Sequence, residues 1–376
     1  MKTQAQIHGA RFFRVVFLAC LVLNCPAVSG CANRIQSNCA RPSDCATEAS
    51  IWPQPFAESS ARHENQGDPV FLGAEREPAS TVDLGMSGFD PGVPGPEQTV
   101  SFDLEVTVSE GPIQLTVVGP SDDGKEITLR DAPHPLVVLS PGFTIDRKQY
   151  THYGARLASY GLVAVLQNSG NELNHAAYRD GTIALLNWLA SPTGTDATRL
   201  QGRLDLTRLG LAGHSLGGKI SVLVAAQDTR IKALFGIDPV DGNTPPALPV
   251  VGKIELPTGI PLAFIGETIS ESGTPPCAPA GENYAAFYND APSPAFAITV
   301  VGAAHGDFVD NFVFCLTCGF CPGGTAPKAR TNALAVKYAA AYFLWTLAGN
   351  AQARDYFTSV AFQSDIALGY ITLVQK

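Results

Sequence analysis

Six consecutive residues, Gly213-His214-Ser215-Leu216-Gly217-Gly218, constrain this chain more than any other stretch. The apolar run Leu209-Gly210-Leu211-Ala212 precedes them and has the character of a buried strand. Lys219-Ile220-Ser221-Val222-Leu223-Val224-Ala225-Ala226 follows as a helix-like apolar stretch. Strand, tight turn and helix form the setting in which G-x-S-x-G acts as a nucleophile elbow. The glycines have a steric reason. A serine on a strained turn points its hydroxyl outward, and a side chain at either neighbouring glycine would strike the turn or the adjacent strand. Ser215 is therefore the candidate nucleophile.

A serine hydroxyl needs a histidine to take its proton and a carboxylate to orient that histidine. In an elbow-bearing α/β chain both partners come later, acid before base. Only one histidine lies beyond Ser215: His305, in the loop Gly302-Ala303-Ala304-His305-Gly306-Asp307. His214, inside the elbow, reads as a structural neighbour. The acid has three candidates. Asp238 directly ends the apolar run 233–237, on a turn stiffened by Pro239, and is preferred; Asp241 and Glu267 are the rivals. An oxyanion hole needs two backbone N–H groups. Leu216, after the nucleophile, is one. Phe143, in Ser140-Pro141-Gly142-Phe143-Thr144, is the other, with its ring walling an acyl pocket.

The rest of the pattern sets the fold class. Residues 100–108 and 113–117 alternate apolar and polar around Gly111-Pro112, predicting an antiparallel opening pair. Thereafter the strand-like runs are continuously apolar: 136–139, 162–166, 209–212, 233–237, 262–265 and 297–301. Such runs belong to strands covered on both faces, as in a parallel sheet. Helix-like segments at 148–160, 178–190, 216–227 and 332–347 alternate with them. The expectation is one α/β domain, an α/β-hydrolase fold with a mostly parallel central sheet flanked by helices.

The first thirty residues stand apart. Lys2, Arg11 and Arg14 precede the short apolar core Val15-Val16-Phe17-Leu18-Ala19-Cys20-Leu21-Val22-Leu23, which reads as a secretory signal. Val28-Ser29-Gly30-Cys31 resembles a bacterial lipobox, so Cys31 is the expected lipidation site; ordinary cleavage nearby is the alternative. Residues 31–80, rich in Pro, Ser, Ala, Glu and Gln, read as a flexible tether, and 81–376 as the catalytic domain. The expected location is the bacterial cell envelope, or free secretion, with the anchor as the sole membrane contact. Hydrophobic content of 45% and charge of 16% over 376 residues suit a globular enzyme. A net charge of −9 without clustered Lys and Arg argues against nucleic acid as partner. Export makes disulfides the natural reading of Cys39, Cys45, Cys277, Cys315, Cys318 and Cys321. Cys39 with Cys45 is a plausible local loop, leaving the later four to pair among themselves. A metal or iron–sulfur site on Cys315, Cys318 and Cys321 is the alternative, but it lacks its fourth cysteine.

From about Pro135 to Asp307 the chain resembles the chlorophyllase family of α/β-hydrolases. The resemblance rests on Gly213-His214-Ser215-Leu216-Gly217-Gly218-Lys219 and on Phe235-Gly236-Ile237-Asp238-Pro239-Val240-Asp241-Gly242. Pro275-Pro276-Cys277-Ala278-Pro279-Ala280-Gly281-Glu282-Asn283, then Phe287-Tyr288 and the His305 loop, extend it. The elbow and Pro-Gly-Phe loop are also similar to those of bacterial polyester hydrolases and platelet-activating-factor-type acetylhydrolases. The resemblance implies a serine ester hydrolase with Ser215 as nucleophile, Asp238 as acid and His305 as base. It implies no metal or organic cofactor and a small-molecule or lipid-like ester as substrate. Leu216 departs from plant chlorophyllases, which typically carry Arg there, as do the leader, tether and triple-cysteine loop. These departures bear on chlorophyll as the natural substrate and leave ester hydrolysis untouched. The alternatives are a polyester or lipid-ester hydrolase and, from another class, a non-catalytic surface lipoprotein that keeps the fold.

Overall fold

The computed structural model describes residues 89–191, 199–242, 248–272, 276–310 and 321–376. The leader, the lipobox, the tether and the first residues assigned to the catalytic domain lie outside these. One nine-stranded sheet organises the described chain, in the order β1-β2-β4-β3-β5-β6-β7-β8-β9. Strands β1 (Thr99–Val108) and β2 (Gly111–Pro120) pair antiparallel, and β2 runs antiparallel to β4 (Val163–Ser169). From β4 the sheet is parallel through β3 (His134–Ser140), β5 (Leu204–His214), β6 (Ile231–Ile237), β7 (Leu262–Glu267) and β8 (Ala295–Val300). A ninth strand, β9 (Ile371–Gln375), closes the far edge antiparallel to β8.

Helices cover both faces, which is why the parallel strands are apolar throughout. On one face α1 (Thr151–Ala158) and α5 (Lys328–Thr346) meet Val137, Leu139, Ala212, Phe235, Ile237, Ala263 and Ile265. On the other, α2 (His175–Ala190) and α3 (Leu216–Ala225) meet Leu136, Val138, Leu209, Leu211, Leu234, Leu262 and Phe264. Each parallel strand thus sends alternate side chains into two separate cores. Shorter helices α4 (Tyr284–Asp290), α6 (Ala351–Tyr356) and α7 (Val360–Ala367) complete the layers. The strand order reverses at β3, whose chain continues into β4 on one side while β5 lies on the other. In open α/β sheets a ligand crevice forms at such a switch point, beyond the carboxyl ends of the strands. The loop after β3 and the turn after β5 both emerge there.

Candidate active site

Ser215 is the single residue between β5 and α3. Its backbone sits at φ 54°, ψ −122°, a conformation that non-glycine residues rarely adopt. The turn is held rather than loose: Ser215 N–H donates to Ile237 O (3.1 Å), and Ser215 O accepts from Gly218 N–H (3.0 Å) and Val240 N–H (3.2 Å). The two flanking glycines are sterically required. A Cβ on Gly213 would lie 2.2 Å from Gly217 O, and one on Gly217 would lie 2.1 Å from Ser140 O. The first collision is with the turn, the second with β3 next door.

The end of β6 and the loop after β8 bring the acid and the base together. Asp238, immediately after β6, is fully buried and presents Oδ2 to His305 Nδ1 at 2.6 Å. Asp238 too has a positive φ, 41°. The His305 main chain is fixed from both sides: its N–H donates to Ser270 Oγ (2.8 Å) and its carbonyl accepts from His214 Nε2 (3.0 Å). The His214 ring also stacks on that of His305, centroids 4.6 Å apart and planes 29° from parallel. The histidine that directly precedes Ser215 therefore packs against the candidate base. Since Nδ1 of His305 donates to the carboxylate, its Nε2 carries a lone pair and is free to act as acceptor.

The rival carboxyls have different surroundings. Asp241 forms a buried ion pair with Lys219 Nζ (2.9 Å) and accepts from the N–H groups of Val250 and Val251. Lys219 also donates to the carbonyls of Asp241 and Gly242. That network ties α3 to the loop after β6. Glu267, at the end of β7, accepts from the N–H groups of Ile269 and Ser270 through Oε2 (2.8 Å for Ser270). Among the described residues the carboxylate hydrogen-bonded to His305 is that of Asp238.

The loop after β3 packs directly beside the nucleophile. A Cβ on Gly142 would lie 2.9 Å from His214 Nδ1 and 3.2 Å from Ser215 Cβ, so only glycine lets the loop approach this closely. Thr144 holds a positive φ of 60°, and its N–H donates to Glu172 Oε2 (2.9 Å). Among the described residues no hydrogen-bond acceptor is found for the N–H of Phe143 or of Leu216. Phe143 is half-buried. A chain of buried bonds links this loop to the base: Gly142 N–H donates to Tyr150 Oη (3.1 Å), and Tyr150 Oη donates to His214 Nδ1 (2.8 Å). Sequence reading did not find Tyr150, Ser270 or Glu172. Tyr150 lies 64 positions before His214, and no local pattern marks it.

Burial dominates the electrostatics. It pushes the His305 imidazole below its ordinary value, which favours the neutral form that can accept a proton. It does the same more strongly to His214, with the neighbouring His305 adding to the effect. Asp238 is pushed well up by burial and then by the Glu271 charge, so its hydrogen bond from His305 is the main compensation for its ionised form. A separate cavity of about 240 Å³ opens near the start of β3, at the opposite end of the strands. Its arginines are already paired, Arg130 with Glu97 and Asp122, Arg208 with Asp205.

Cys277 and Cys321 form a disulfide, so the later cysteines do pair among themselves in this instance. Cys321 is thereby removed from the ligand set of the metal alternative; Cys315, Cys318, Cys31, Cys39 and Cys45 lie outside the described residues. No cluster of three or more His, Cys, Asp or Glu suited to a metal occurs among the described residues.

The sequence model of a family described as "Chlorophyllase" matches residues 89–354. Similar proteins include chlorophyllase-2 of Arabidopsis thaliana, 27% identical over 224 residues, covering 53% of this chain and 66% of that protein. Cutinase est1 of Thermobifida alba is 27% identical over 158 residues (42% of this chain, 48% of that one). A bis(hydroxyethyl) terephthalate hydrolase of Streptomyces coelicolor is 30% identical over 166 residues (43% and 47%). The chain spans less than two thirds of the length of each of these relatives.

Proposed function

This chain belongs to the chlorophyllase family, and from that premise we propose that it is a serine carboxylic-ester hydrolase whose triad is Ser215, His305 and Asp238. The observation that carries the reading is the 2.6 Å contact between His305 and a buried Asp238, beside a strained serine turn. In this mechanism Ser215 Oγ attacks the ester carbonyl carbon while its proton passes to His305 Nε2. The imidazolium that forms is stabilised by Asp238. The carbonyl oxygen becomes an oxyanion, received by the N–H groups of Phe143 and Leu216. Collapse breaks the ester C–O bond, and the alcohol leaves with the proton from His305. Water, deprotonated by His305 in turn, then cleaves the acyl-serine and releases the acid.

The substrate class proposed is a small-molecule or lipid-like ester. Relatives named for chlorophyll, cutin and a terephthalate diester support ester hydrolysis at large rather than one leaving group. The test is fluorophosphonate labelling mapped by mass spectrometry, followed by an ester panel and polymer films. Label on Ser215, with p-nitrophenyl ester hydrolysis lost in Ser215→Ala, is expected; activity in that variant within about tenfold of wild type would sink the assignment. We propose in addition that the chain is exported and lipidated at Cys31. The Cys277–Cys321 disulfide supports an oxidising compartment. Failure of Cys31 to take up palmitate, with processing unchanged by globomycin, would remove the anchor.

A further inference from the structure

Two buried carboxyl groups stand at the ends of adjacent parallel strands, and each has an oxygen that no donor satisfies. Ile237 of β6 pairs with Ile265 of β7, and the next residue, Asp238, donates its N–H to Ile265 O at 2.6 Å. Glu267 lies two residues further along the same strand. Asp238 is 0% exposed and Glu267 1%. Asp238 gives Oδ2 to His305, yet its Oδ1 has no hydrogen-bond partner among the described residues. Glu267 gives Oε2 to the N–H groups of Ile269 and Ser270, yet its Oε1 has none.

An ionised carboxylate only accepts hydrogen bonds, so two ionised groups cannot satisfy each other. A proton on either group turns one of these oxygens into a donor for the other. We propose that Glu267 holds a proton at neutral pH and donates it in a hydrogen bond to Asp238 Oδ1, making Glu267 a positioning residue for the acid of the triad. The inference rests on Asp238 being that acid.

The surroundings favour the proton on Glu267 rather than on Asp238. Asp238 faces the Nδ1–H of His305, a donor that rewards its charge. The Glu271 charge acts on both carboxyls, and Glu271 is itself engaged by Asn283 Nδ2 (2.7 Å), so the His305 donor is what distinguishes Asp238. From α4 Tyr284 feels the Glu267 charge, its hydroxyl bonded to Thr299 Oγ1 of β8 (2.6 Å), and Ser270 Oγ accepts from the His305 N–H. Burial and the Asp238 charge together hold the Glu267 carboxyl up to about 8. With that donor in place both Asp238 oxygens accept hydrogen bonds, which offsets the burial that pushes its carboxyl up.

The consequences are specific to pH. As pH rises through about 8, Glu267 loses its proton, Asp238 Oδ1 loses its donor, and turnover declines on the alkaline side. The stability linked to that proton falls as pH rises from 4.5, where the unfolded carboxyl ionises, to about 8, where the folded one follows. Glu267→Gln keeps an N–H donor at every pH, so it should stay within roughly tenfold of wild-type kcat at pH 7 and lose the alkaline limb. Glu267→Leu removes the donor and should lower kcat roughly ten- to a hundredfold with little change in KM.

Infrared difference spectroscopy reads the proton directly and without reference to activity. Wild-type protein taken from pH 6 to pH 10 should lose the carbonyl stretch of a protonated carboxylic acid, and Glu267→Gln should lack that change. No such band in wild type, or an alkaline limb that persists in Glu267→Gln, would overturn the proposal, even if Glu267→Leu fails to fold. Asp238→Asn at near wild-type turnover would instead refute the triad reading, and the infrared band reports on Glu267 in either case.

Discussion

Replacing Asp238 by Asn separates its charge from its shape, and the structure allows the loss to be estimated. The carboxylate lies 2.6 Å from His305 Nδ1 and is wholly removed from water. When His305 takes the serine proton, the new positive charge meets the carboxylate charge. Two unit charges about 4 Å apart in a protein-like dielectric attract by about 4 kcal/mol, close to a thousandfold in rate. The amide can add to this. If its NH₂ faces His305, the ring must present Nδ1 as acceptor and carry its proton on Nε2, the wrong tautomer for accepting from Ser215; in the best-studied serine protease triad this substitution costs about 10⁴. The expected fall in kcat on a p-nitrophenyl ester is therefore roughly 10³ to 10⁴, with the thermal melt little moved. Asp241→Asn is the control with the reverse signature. It leaves Lys219 buried without its counter-charge, so stability should fall by about 3–5 kcal/mol while the folded fraction keeps turnover within about tenfold. A loss of less than tenfold in Asp238→Asn, or the larger catalytic loss at Asp241, would refute the reasoning.

Two further expectations follow from neighbouring features. Burial lowers the His305 value, so the neutral base persists as pH falls through 6.5, and the acid limb of kcat/KM should lie below that point; a limb above 6.5 would contradict the burial argument. Cys277→Ser should lower the melting temperature, because the disulfide closes a loop of 44 residues between the chain leaving β7 and the chain beyond the His305 loop. The entropic estimate for a loop of that length is about 4 kcal/mol, and no shift on reducing the wild-type protein would count against it.

Much of this architecture is legible in the chain because it depends on local chemistry. The continuous apolar runs name the parallel strands β3 to β8, and the glycines around Ser215 name the turn before any contact is known. Asp238 follows from its position at a strand end. What escapes is of two kinds. Strand β9 and helices α4, α6 and α7 are short, and β9 is mostly exposed at the sheet edge, so their periodicity is too brief to stand out. The second kind is contact across long separations. Tyr150 reaching His214, Ser270 holding the His305 N–H, and Cys277 choosing Cys321 depend on which loops the sheet order gathers, and no local pattern encodes that.

The positive φ angles at Ser215 and Asp238 have a consequence for how this protein tolerates heat. Each strained residue costs on the order of 1–3 kcal/mol, against a total stability of roughly 5–15 kcal/mol for a domain. The glycine contacts around the elbow leave the turn no room to relax by shifting. A glycine at position 215 would adopt the same backbone at less cost, yielding a more heat-resistant and inactive protein. Efforts to harden this fold for practical use therefore have their safest ground far from the crevice, on the mostly exposed α7 and β9, where gains do not compete with reactivity.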